Sequence, residues 1–217
     1  MRVCQHCSTD SPVTYSCAWT HSQLADAAFL LVAGPTSAGK TLLAQFVSHA
    51  FPNSKVVVVH TDRPQRRPPM HSEAEIDGFH YYFVPTEWFD EQIKADKLVA
   101  HIGRYGNRYG LAVSEVQECL ESRLLPVLVC NVTTALQLKR HYPRSSSFFV
   151  CSRDLEAVKT RARGRDDNPE NSAARLLLVD EEVSSRSYFD YVFEYDEDWT
   201  PGTRYHVSIN PSRVSAV

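Results

Sequence analysis

Apolar positions along the chain fall into two recurring patterns. The run "AAFLLVAG" over residues 27–34 is unbroken and ends in Gly-Pro, as a strand buried on both faces does. The next stretch, "KTLLAQFVSHAF" over 40–51, spaces its apolar residues as one face of a helix. "SKVVVVH" over 54–60 is β-branched and predicts a second buried strand. Helices are expected over 85–97, with Thr86 as N-cap, and over 114–124, opened by Ser114. "PVLVCNV" at 126–132 and "SSFFVCS" at 146–152 predict two more buried strands. Helices over 153–163 and about 172–186 flank the charged loop "GRDDNPEN", and "YFDYVFEY" at 188–195 predicts a last strand. Strands alternating with helices predict an α/β fold of three layers with a mostly parallel sheet. There is no internal repeat.

Composition narrows the class. A chain of 217 residues with 43% hydrophobic content can bury one large core. A net charge of −3 gives no basic surface for nucleic acid, and no apolar run reaches the length of a membrane helix. The start, "MRVCQHCSTD", lacks a signal-peptide apolar region, so a cytoplasmic protein is the default. Residues 1–24 are polar and read as an extension, 25–195 as the main domain and 196–217 as a C-terminal tail. Cys4, Cys7, Cys17 and His21 could form a small zinc site, but their spacing fits no common finger, and a loose tail is the simpler reading.

Candidate chemistry begins at residues 34–41, "GPTSAGKT", a full G-x-x-x-x-G-K-[ST] pattern between a buried strand and an amphipathic helix. Backbone N–H groups of Gly34, Pro35, Thr36, Ser37, Ala38 and Gly39, as far as each carries one, would curl around phosphate at the helix N-terminus. Lys40 would reach the β- and γ-phosphates of ATP, and Thr41 would ligate Mg²⁺.

With that loop placed, about residues 27–195 resemble the guanylate kinase family. "HTDRPQRR" is similar to the family's Thr-Thr-Arg-x-x-Arg, and "EIDGFHYYFV" (75–84) to its Glu-x-x-Gly-x-x-Tyr-x-Phe-Val. "YGNRYG" is similar to Gly-Asn-Tyr-Tyr-Gly, and "RARGR" with Arg175 to the arginine lid. The resemblance implies a P-loop kinase fold with an acceptor lobe at about 60–112 and a lid at about 161–176. It also implies ATP and Mg²⁺ as cofactors and transfer of phosphate from ATP to GMP or another nucleoside monophosphate. Arg63, Arg66, Tyr81 and Tyr109 would hold the acceptor phosphate, with Glu75 in the same substrate-binding set. Lys40, Arg63, Arg165 and Arg175 would be catalytic, and Arg161 would sit by the donor nucleotide.

Departures from the family pattern concentrate where the base is read. Val59, Ala100, Leu111 and Val132 stand where the family has polar residues, while the phosphate clamp is kept. Weak base selectivity is therefore expected. Cys130-Asn131-Val132 replaces Asp-x-Asp, and "PMHSEA" (69–74) looks inserted. Asp62 replaces a Thr and reads as a turn cap, with an approach to Mg²⁺ as the alternative. Two other functions stay open: a guanylate kinase-like scaffold that binds a protein partner, and a kinase for a base-free sugar phosphate.

Overall fold

The computed structural model describes residues 24, 27–66, 74–104, 106–163, 169–196 and 205–212. Cys4, Cys7, Cys17, His21, Arg165 and most of the "PMHSEA" stretch lie outside the described residues. The elements in chain order are β1 (Leu30–Ala33), α1 (Lys40–Ala50), β2 (Ser54–Val56), β3 (His60–Thr61), β4 (Tyr82–Phe83) and α2 (Thr86–Lys94). They continue with β5 (Leu98–Arg104), β6 (Asn107–Ala112), α3 (Val113–Glu121), β7 (Leu125–Val129) and α4 (Val132–His141). The last are β8 (Ser146–Ser152), α5 (Leu155–Arg163), α6 (Pro169–Ser184), a 3₁₀ turn (Ser185–Tyr188), β9 (Tyr191–Tyr195) and β10 (Tyr205–Ile209).

The main sheet has the order β10-β9-β8-β1-β7-β2. It is parallel except for β10, which pairs antiparallel with β9 at one edge. Alternation along the strands sends neighbouring side chains to opposite helix layers. Leu31, Leu128, Phe149 and Cys151 pack with Val116 and Cys119 of α3 and with Ala135 and Leu138 of α4. Val32, Val127, Val150 and Phe193 face Leu43, Ala44 and Val47 of α1. These are the three layers the sequence predicts.

A second sheet, β4-β3-β6-β5, builds a separate lobe. Its β3–β4 pair is parallel, whereas β3–β6 and β5–β6 are antiparallel. Phe89 of α2, Leu98 and Ala112 form its own small core.

Several boundaries differ from the sequence reading. The stretch 54–60 is not one strand: β2 ends at Val56, and His60 already belongs to the second sheet. Thr86 is not the cap of α2, because Pro85 holds that position and the Thr86 hydroxyl donates to Asp62 Oδ2 at 3.4 Å. α3 opens at Val113 after Ala112, not at Ser114. Val132 does not end a strand but starts α4, capped by Asn131, whose Oδ1 accepts from Thr134 N at 2.9 Å.

Candidate active site

The turn from β1 into α1 is forced to be glycine at its first position. A Cβ on Gly34 would lie 2.1 Å from the Val150 carbonyl oxygen, and its φ of +149° is one that other residues rarely adopt. Gly39 closes the turn in the left-handed region, φ +75°, with no side-chain cap on α1. The first-turn N–H groups of α1 therefore point into the loop without intrahelical acceptors. Lys40 Nζ donates back to the carbonyls of Gly34 at 3.0 Å and Pro35 at 2.6 Å. Ser37 has a φ of +62°, and its Oγ is buried with no hydrogen-bond partner among the described residues. An orphaned hydroxyl in a loop closed by two obligatory glycines fits a phosphate group. Thr41 is exposed at the second position of α1, where its hydroxyl could serve as a Mg²⁺ ligand.

The second cluster stands on the separate lobe. Arg63 and Glu75 form a buried bidentate pair, with Nη1 to Oε2 at 2.8 Å and Nη2 to Oε1 at 2.9 Å. Arg63 Nη1 also donates to Pro64 O at 2.7 Å. Of its five N–H groups, Nε–H and one Nη2–H remain for a ligand. The Arg63 guanidinium lies 5.3 Å from the Tyr81 ring centre and 5.6 Å from that of Phe83. Tyr81 and Tyr109 meet edge-on, with centroids 6.0 Å apart. Three of the four expected clamp residues are thus together. Arg66 is tied in through its backbone: its N–H donates to Glu75 Oε2 at 2.8 Å, and its carbonyl accepts from Glu75 N at 3.0 Å.

This geometry gives Glu75 another part than direct contact with the acceptor. Both of its oxygens are engaged by Arg63 and Arg66, and a carboxylate would repel a phosphate. Burial works to raise its pKa, but the hydrogen bonds from Arg63 and Arg66 hold it below the ordinary value. Glu75 therefore fixes the direction of the Arg63 fork.

Val59, Ala100, Leu111 and Val132, which the sequence reading sets against polar residues of the family, cluster together. Ala100, Leu111 and Val132 are only 2–4% exposed and belong to the main core, with Val59 packed against them. Asn131 is held in place as the cap of α4: Oδ1 accepts from Thr134 N and Nδ2 donates to Thr134 Oγ1 at 3.0 Å. At the end of β7, burial pushes the Cys130 thiol up to about 12 despite the nearby Lys40 charge, so it carries no anion. Arg161 is exposed in α5, and Arg175 is described only by its place in α6.

Sequence reasoning missed Arg108. Its Nε donates to Asp62 Oδ2 at 2.9 Å and its Nη1 to Asp90 Oδ1 at 2.7 Å. Its mismatch with the family's Tyr was the available signal. Asp62, held below its ordinary pKa by Arg108 against the effect of burial, is part of this network and not of the P-loop.

A phosphate cradle on a parallel sheet, facing the task of transfer with a cationic and phenolic cluster on a separate lobe, defines a P-loop nucleoside monophosphate kinase. Comparison with known proteins specifies the family. The guanylate kinase family model matches residues 27–198. A guanylate kinase of Thiobacillus denitrificans is 31% identical over 168 residues, covering 77% of this chain and 78% of that protein. One from Escherichia coli O157:H7 is 29% identical over 194 residues, covering 88% and 91%. The crystal structure of guanylate kinase from Anaplasma phagocytophilum shares the fold, with a TM-score of 0.58 at 20% identity, over 85% of this chain and 79% of that one. The chain belongs to the guanylate kinase family.

Proposed function

We propose that the protein transfers the γ-phosphoryl group of ATP to a nucleoside monophosphate, GMP included, with weak selectivity for the base. One observation carries the reading: candidate phosphate ligands stand on both sides of the transfer, while Val59, Ala100, Leu111 and Val132, which align with the family's polar base readers, are apolar. Residues 34–41 cradle the donor phosphates, with the Ser37 hydroxyl and the first-turn N–H groups of α1 as donors. Lys40 leaves the Gly34 and Pro35 carbonyls to meet the phosphate charge. Mg²⁺, when bound with ATP, would neutralise charge on the phosphate oxygens, with the Thr41 hydroxyl as a protein ligand. Arg63 offers its remaining N–H groups to the acceptor phosphate, and the Tyr81 and Tyr109 hydroxyls complete the clamp. Arg66 would add a second guanidinium, and Arg161, Arg165 and Arg175 would close on the donor side. No step requires a covalent intermediate, since positioning and charge neutralisation supply the catalysis.

Val59, Ala100, Leu111 and Val132 cannot accept from guanine N1–H or its amino group. Each unmet donor costs about 1–3 kcal/mol, which weakens GMP relative to a polar-read site. A second reading, a domain that binds phosphate but turns over little, is favoured by the uncharged β7 end at Cys130 and Asn131. ADP release measured with ATP, Mg²⁺ and a panel of GMP, AMP, pyrimidine monophosphates and sugar phosphates separates these. Turnover with several nucleoside monophosphates is expected. Turnover with a sugar phosphate alone, or none with any acceptor, would refute the reading.

A further inference from the structure

Thr61 and Tyr109 are the last pair of the β3–β6 ladder, and just beyond it Asp62 and Arg108 stand opposite each other. There the ladder closes in an unusual way. Asp62 N donates to Arg108 O at 3.3 Å, but the return bond from Arg108 N goes to the Asp62 carboxylate, Oδ1, at 2.6 Å. Thr61 extends the same link: its hydroxyl donates to Arg108 O at 2.9 Å and accepts from Arg63 N at 3.2 Å. The Arg108 side chain then reaches α2. Besides its bonds to Asp62 and Asp90 it donates through Nη2 to the Thr86 carbonyl, and its guanidinium lies 5.0 Å from the Phe89 ring centre. Arg108 is one residue from Tyr109 on a strand, so the two side chains leave opposite faces. It points to α2 and not into the clamp.

We propose that Asp62 and Arg108 are a positioning pair that sets the acceptor clamp. The proposal rests on the kinase reading above and deepens it. Arg63 follows Asp62 directly and Tyr109 follows Arg108, so one ion pair fixes the backbone beneath a cation and a phenol of the clamp. It also solves a charge problem. A lone Asp62 beside Arg63 would place an anion next to the site for a phosphate dianion, and Arg108 cancels it. Both residues depart from the family's pattern, Asp62 from a Thr and Arg108 from a Tyr, and the two departures complement each other. The Asp62 side chain is only 8% exposed and Arg108 24%, so water screens the pair weakly.

The test uses the full chain with Asp62→Thr, Arg108→Tyr and the two changes together. Steady-state KM for GMP and for ATP is measured separately, with the GMP dissociation constant from calorimetry and the melting temperature of each variant. Each single change is expected to raise the KM and Kd for GMP by roughly tenfold or more, with the KM for ATP within about twofold. The double change is expected to return GMP binding to within about threefold of the unchanged protein, because it removes the charge and its partner together. Unaltered GMP binding in the single variants would overturn the proposal. So would losses that simply add in the double variant, or equal rises in both KM values that follow the melting temperature. If the unchanged protein binds GMP without turnover, the kinase reading fails while calorimetry still decides the pair. If it binds no GMP, there is no clamp to position and the pair's role falls with it.

Discussion

Replacing Glu75 by Gln isolates the electrostatic half of the buried Arg63–Glu75 contact. The side chains are 8% and 5% exposed, so solvent screening does not dilute the pair. Gln keeps the shape and one acceptor oxygen. It loses one charge-assisted bond to Arg63 and leaves a buried guanidinium without its counter-charge. The expected loss is about 2–4 kcal/mol of folding stability at pH 7. For a domain of this size that lowers the melting temperature by roughly 4–16 °C. The sign with pH follows from the depressed Glu75 pKa. The ionised pair contributes fully above the ordinary value of 4.5, and its contribution is lost as pH falls through the lower folded value. Urea unfolding followed by circular dichroism, at pH 7 and below pH 4.5, reads both effects. The gap between wild type and Glu75→Gln should narrow in acid. A double change of Arg63 and Glu75 to Met should be less destabilised than Glu75→Gln while still losing acceptor binding. A gap under about 0.5 kcal/mol at pH 7, or one that is the same at both pH values, would refute this account of the clamp.

Lys40→Ala should reduce turnover by roughly a hundredfold or more with little change in melting temperature, because Nζ donates to the Gly34 and Pro35 carbonyls of the loop itself; equal ATP affinity in both proteins would count against it. His60 is stacked on Trp88 at 4.4 Å and beside Tyr82 at 4.7 Å, and burial, partly offset by a hydrogen bond with the Gly110 backbone, lowers its pKa to about 4. Stability should therefore fall by up to about 3 kcal/mol as pH drops from 6.5 towards 4, since the unfolded chain takes up that proton first. His60→Phe should flatten this part of the pH profile in thermal melts, and an unchanged slope would contradict the assignment.

The parallel core and the phosphate cradle were legible in the sequence because each carries a local signature: unbroken apolar strands, and a glycine loop between strand and helix. The division at Val57 was not, since a run of identical valines has no period to mark where the chain leaves one sheet for another. α4 was hidden because the strand's apolar pattern runs through Val132, and its start is signalled only by the Asn131 cap. β10, in the region read as a tail, takes its place from pairing with β9. At the site, Arg63, Tyr81 and Tyr109 came together as expected, whereas the role of Glu75 depended on seeing which atoms it meets. The Asp62–Arg108 network joins positions 62, 86, 90 and 108, a separation that no local pattern records.

The central claim is that phosphate contacts dominate acceptor recognition while the base is poorly read. Measuring kcat/KM for GMP and AMP on the same preparation, with saturating ATP and Mg²⁺, tests it most directly. The apolar patch of Val59, Ala100, Leu111 and Val132 gives an expected ratio below about a hundredfold. A preference for GMP of about 10⁴ or more would contradict the claim and place base-reading donors or acceptors elsewhere in the lobe.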